Sequence, residues 1–121
     1  MLITIKILIA LVAFLHLYFL VLEMFLWTTR GPNVFKTVPK ESFEPTKTMA
    51  ANQGLYNGFL AAGLIWSLFI QDAVWARNVS VFFLSCVIIA GIYGALTVSR
   101  QIFFVQALPA IVALGLVLAS W

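Results

Sequence analysis

A chain of 121 residues that is 64% hydrophobic and only 9% charged cannot dress a water-facing surface, for which soluble domains carry about 25% charge; a mean hydropathy of +1.09 agrees. The length allows one domain with room for four spans of about 20 apolar residues and one substantial loop, and no separate soluble domain. The net charge of +3 comes from basic residues flanking apolar runs, which reads as a topology signal and not as a nucleic-acid surface. The lone cysteine, Cys86, and the lone histidine exclude an intrachain disulfide and a conventional metal site.

The first apolar run covers residues 5–27. It is longer than the core of a signal peptide, about 7–15 residues, and ends in Glu23, Met24 and Trp27 without a small-residue cleavage site, so it is expected to be a retained helix. Residues 28–50 differ in kind. They hold Pro32, Pro39 and Pro45, the basic Arg30, Lys36, Lys40 and Lys47, and the apolar Val34, Phe35, Val38 and Phe43. A connection of this length is a lid or binding segment, or an interfacial segment that dips Phe35 and Phe43 among lipid headgroups while its lysines face phosphates.

Three more runs follow, at residues 51–70, 79–98 and 102–121, with turns marked by Gln71-Asp72, Arg77-Asn78 and Ser99-Arg100-Gln101. The fourth contains Pro109, where a bend is expected. None of the runs alternates in polarity, which excludes a membrane β-barrel. The predicted fold is therefore all-α: a single transmembrane domain over residues 1–121, an antiparallel four-helix bundle with a long loop between helices one and two. Five basic residues on the loop side (Arg30, Lys36, Lys40, Lys47, Arg100) against two on the other (Lys6, Arg77) place the protein in the plasma membrane, the cell inner membrane of a bacterium, with the loop cytoplasmic and both termini outside.

Polar side chains are unevenly placed along these runs. At about 100° per residue, His16, Glu23 and Trp27 fall on one stripe together with Leu20. Run two begins with Asn52, Gln53, Tyr56 and Asn57, run three ends with Tyr93 and Thr97, and run four begins with Gln101 and Gln106. With alternating helix directions, all but His16 lie in the half of the membrane beside the long loop. A cavity open to that side, lined by Trp27, Asn52, Gln53, Tyr56, Asn57, Tyr93 and Thr97, would suit a ligand with a polar head and an apolar tail. Glu23 is its candidate base or acceptor and His16 the partner of Glu23. The same residues could serve as hydrogen-bonding glue between helices or as interface-belt aromatics.

Small residues mark close packing. Run two carries Gly54 and Gly58 in GxxxG spacing, then Ala61, Ala62 and Gly63; run three carries Ala90, Gly91 and Gly94. Runs two and three are expected to be neighbours, with a homo-oligomer through Gly54 and Gly58 as a further option.

The stretches His16…Glu23-Met24-Phe25-Leu26-Trp27 and Asn52-Gln53-Gly54-Leu55-Tyr56-Asn57-Gly58-Phe59-Leu60-Ala61-Ala62-Gly63 resemble those of a bacterial family of small four-helix membrane proteins known as a domain of unknown function, number thirteen-oh-four. The resemblance covers nearly the whole chain. It implies the fold and topology and brings no activity or cofactor with it. The characteristic positions it carries over are His16, Glu23, Trp27, Asn52, Gln53, Gly54, Tyr56, Asn57 and Gly58.

The leading expectation for function is a pocket that binds, and could transform, a small amphipathic or lipid-like molecule. The alternatives are a non-enzymatic membrane subunit or scaffold and a small proton-coupled transporter. Against the transporter stand the long loop, the position of Glu23 near one end of its helix and the apolar far half. No nucleotide loop, metal cluster or nucleophile triad is present, so neither an enzyme class nor a cofactor follows from the residues.

Overall fold

A computed structural model describes residues 1–120; Trp121, the expected end of the fourth run, lies outside the described residues. The described chain is all-helical: α1 (Ile3–Phe25), the short α2 (Gly31–Val34), α3 (Lys47–Phe69), α4 (Ala73–Thr97) and α5 (Leu108–Ala119). A 3-10 turn, Lys40–Ser42, follows α2, and a π-helical turn, Phe103–Ala107, leads into α5. By length and composition α1 and α4 are apolar enough to cross a membrane.

Two helices begin ahead of their apolar runs. The third run was expected to begin at residue 79, but α4 starts at Ala73 because the Asp72 side chain accepts the backbone N–H of Trp75 at 2.9 Å, which satisfies a first-turn donor. Helix α3 likewise starts at Lys47, four residues ahead of the apolar run, and takes the end of the expected loop into its first turn. Pro109 sits in the first turn of α5, just beyond the π turn. It has no N–H to give and its ring crowds the carbonyl one turn earlier, and the ladder ahead of it widens to a bond from Leu108 N–H to the Phe103 carbonyl.

Packing follows the small residues, with a change of partners. Gly54 and Gly58 face α1, where an added Cβ would meet Met24 Cγ at 2.8 Å and Leu20 Cδ1 at 2.6 Å respectively. Gly63 is the glycine that brings α3 against α4, under the ring of Phe83. Gly91 and Gly94 of α4 pack on Ala107 and Ile102, at the start of the fourth helix and not on α3. Such close approach maximises van der Waals contact between the helix backbones.

The core gathers Ile5, Ile9, Val12 and Ala13 of α1 with Leu64 of α3, Leu84 and Val87 of α4, and Ala110, Ala113 and Val117 of α5. The buried hydroxyls near it satisfy themselves within their own helices: Ser67 donates to the Leu64 carbonyl at 2.6 Å and Ser80 to the Ala76 carbonyl at 2.7 Å.

Gly91 is the position where the obstacle is backbone and cannot swing aside: a Cβ there would lie 2.8 Å from the Ala107 backbone nitrogen, whereas nothing lies within 4 Å of a Cβ at Gly115. Gly91→Ala is expected to cost about 1–3 kcal/mol through overpacking. Gly115→Ala, in an open helical position, should be neutral or stabilising by up to about 1 kcal/mol. Thermal unfolding of both variants in the same detergent checks the pair.

Candidate functional site

The last two turns of α1 carry the groups that organise one end of the molecule. Glu23 is 2% exposed. Each of its oxygens accepts an amide N–H from α3: Oε1 from Asn57 Nδ2 at 2.5 Å, and Oε2 from Gln53 Nε2. Gln53 and Asn57 lie one turn apart on α3, and Gly54 between them lets α3 come close enough to α1 for both amides to reach. Two charge-assisted bonds from neighbouring turns fix the carboxylate against the helix that receives it.

Beside this arrangement lies a cavity of about 970 Å³. Glu23, Asn52, Gln53, Tyr56 and Asn57 are in its lining, and Tyr93 and Thr97 line it from α4. Phe19, Leu60, Ala90 and Val105 supply apolar wall. Tyr56 and Tyr93 remain 59% and 70% exposed, so the mouth of the cavity lies at the molecular surface between α3 and α4. Thr97 donates its hydroxyl to the Tyr93 carbonyl at 2.7 Å, closing the last turn of α4 on itself.

His16 and Trp27 are outside this lining. His16 is fully buried, with Nδ1 2.8 Å from the Val12 carbonyl and Nε2 3.0 Å from Gln106 Nε2. A carbonyl can only accept, so Nδ1 carries the proton and Nε2 receives the Gln106 amide N–H. His16 therefore bonds the π turn of the fourth helix and not Glu23. Gln106 also lines the cavity. It stood out in the sequence as a polar residue at the head of an apolar run, yet periodicity alone could not say that a π turn would aim it at His16.

Trp27 holds the loop. Its Nε1 donates to Thr46 Oγ1 at 3.0 Å, and Thr46 in turn donates to the Ser42 carbonyl at 2.7 Å. The indole packs against Phe43 and Phe35, with ring centroids 4.8 and 5.5 Å apart. Phe43 is 2% exposed and presses on Gly31, where a Cβ would come within 2.8 Å of its ring. Of the two rings read as candidates for the headgroups, Phe43 turns inward onto the indole and Gly31, while Phe35 is half-buried between the indole and the cavity. Held this way, the loop brings Val34, Phe35, Lys36 and Thr37 to the cavity, four lining residues that hydropathy could not assign.

Residues 10–118 match the family described as Protein of unknown function (DUF1304). The chain belongs to this family. It is also 33% identical, over 106 residues covering 86% of this chain and 87% of the other, to the uncharacterised protein YpaA of Lactococcus lactis subsp. lactis (strain IL1403). No solved structure matches the chain.

If Trp27 ties the loop down through Thr46, Trp27→Phe should keep the ring contacts and lose one hydrogen bond, about 0.5–1.5 kcal/mol, while Trp27→Ala should also lose the aromatic packing. Limited proteolysis after Lys36 and Lys40 is expected to rise modestly in the first variant and strongly in the second. Equal cleavage of both variants and the wild type would remove the anchor.

Proposed function

We propose that the chain is an integral membrane protein of four antiparallel spans whose loop-side cavity holds a small amphipathic, lipid-like molecule. The observation that carries this reading is a buried carboxylate, Glu23, received by two amides of the next long helix at the wall of a cavity of about 970 Å³. Ligand cavities span about 300–1,000 Å³ and combine a mostly apolar lining with a few placed polar groups. Ionisable side chains within membrane spans are expensive and mark functional sites by default.

The four-span reading has several supports. The apolar core joins the first half of α1 to the later part of α3, the middle of α4 and the length of α5, which agrees with alternation in direction. The link from α3 to α4 is short, which favours antiparallel neighbours. Helix α3 has the length of a span, 23 residues, and owes its lower hydropathy partly to Gln53 and Asn57, whose side chains turn to Glu23 and away from lipid. The charge asymmetry, Arg30, Lys36, Lys40, Lys47 and Arg100 against Lys6 and Arg77, favours a plasma-membrane protein with the loop in the cytoplasm.

The same observations weigh on the other readings. A transporter needs a polar route through the far half, which the apolar core occupies. Pairing of two copies through Gly54 and Gly58 would have to displace α1, which already packs there.

Two experiments test this reading. A membrane lipid extract should raise the unfolding midpoint of the delipidated protein by about 5 °C or more, the scale expected when ligand greatly exceeds Kd. Ala90→Trp, which fills the cavity from α4, should abolish the rise; equal responses would refute the pocket. For topology, with Cys86 replaced by alanine, a membrane-impermeant maleimide should label Ser120→Cys in intact cells and Lys40→Cys only in opened ones. The reverse pattern would invert the orientation.

A further inference from the structure

The atoms around Glu23 restrict what a ligand's head group can be. A carboxylate offers about four lone-pair sites; Asn57 and Gln53 use one on each oxygen. In turning their NH₂ groups to Glu23, both amides point their carbonyl oxygens away from it, and among the described residues neither of those oxygens accepts a hydrogen bond. The wall at this point therefore offers the remaining carboxylate lone pairs and two amide carbonyls as acceptors, beside the second N–H of each amide. The cationic side chain in the lining, Lys36, belongs to the loop and is exposed. One turn further from the loop than Glu23, Asn57 and Tyr93, the lining is mostly apolar, with Phe19, Leu60 and Ala90 beside the polar Gln106.

Resting on the pocket reading above, we infer that the ligand is a single-chain amphiphile whose head donates hydrogen bonds and is not an anion, a long-chain amine or alcohol, seated at Glu23 with its chain along Phe19, Leu60 and Ala90. An ammonium or hydroxyl supplies donors to the Glu23 oxygens and to the amide carbonyls beside them. A carboxylate or phosphate head brings only acceptors to the Glu23 oxygens and has no proton to give them. An anionic head could reach Lys36 instead, which would leave the head at the rim and Glu23 without a partner from the ligand.

Four probes of equal chain length decide the matter: hexadecylamine, hexadecanol, palmitate and hexadecyl phosphate, each titrated into the full-length protein in neutral detergent and counted by native mass spectrometry. The amine and the alcohol should saturate at one molecule per chain and bind at least tenfold tighter than the two anions. Preference for the amine over the alcohol would assign the recognition to charge, and equality would assign it to hydrogen bonding; both agree with the inference. Glu23→Gln should shrink the gap between the amine and the anions to within threefold, and Ala90→Trp should remove binding of all four. Should Glu23→Gln fail to fold, the wild-type ranking alone decides. If the anions bind as tightly as the amine and alcohol and Ala90→Trp still removes them, the head-group inference is wrong and the pocket stands. If no probe saturates, or Ala90→Trp changes nothing, the pocket reading falls and this inference with it.

Discussion

A carboxylate that leaves water must be received by donors, and the loop-side end of this protein is arranged around that requirement at Glu23. The donors are the amides of Gln53 and Asn57, and they reach only because α1 and α3 approach closely over Gly54 and Gly58. Helix packing and carboxylate solvation are thereby one feature. A larger residue at Gly54, where a Cβ would lie 3.0 Å from Glu23 Cβ and 3.2 Å from the Leu20 carbonyl oxygen, would separate the helices and leave a buried carboxyl without its donors, at about 1–3 kcal/mol. The cavity lies where the polar turns of α3 and α4 stand apart, while the opposite end is closed by Ile9, Leu64, Leu84 and Val117.

The stripe on α1 that carries His16, Glu23 and Trp27 is not a single constellation. Each residue ties α1 to a different part of the chain: His16 to the π turn through Gln106, Glu23 to α3, and Trp27 to the loop through Thr46. Helix α1 thus acts as the post against which the other elements are set. Trp27 and Phe43 fold the loop inward over Gly31, and this places Phe35 and Lys36 at the cavity. The π turn ahead of Pro109 has a comparable role, since it carries both Gln106 and the Ala107 that packs on Gly91.

The all-helical fold could be read from the sequence because long apolar runs leave few alternatives. The clustering of Glu23, Gln53 and Asn57 was legible as well, since helical periodicity and matched depth put them on facing stripes. What could not be read depends on which helices touch. Small residues announce close contact without naming the partner: α3 and α4 are neighbours over Gly63, but Gly54 faces α1 and Gly91 faces Ala107. Helix starts were missed where a cap such as Asp72 lies outside the apolar run. His16 and Glu23 share a stripe without bonding each other, because residues two turns apart are too far apart to meet directly, and Gln106 from another helix takes the imidazole. The loop was the least legible part, because hydropathy cannot tell a phenylalanine that faces lipid from one stacked on a tryptophan.

The central claim is that Glu23 and Asn57 interact directly and that this contact joins α1 to α3. A double-mutant cycle of Glu23→Ala and Asn57→Ala, read from reversible unfolding in mixed detergent micelles, measures it. The account predicts a coupling free energy of about 1 kcal/mol or more, within the range for hydrogen-bonded partners in contact. Additivity of the two substitutions to within about 0.3–0.5 kcal/mol, the behaviour of independent sites, would contradict it.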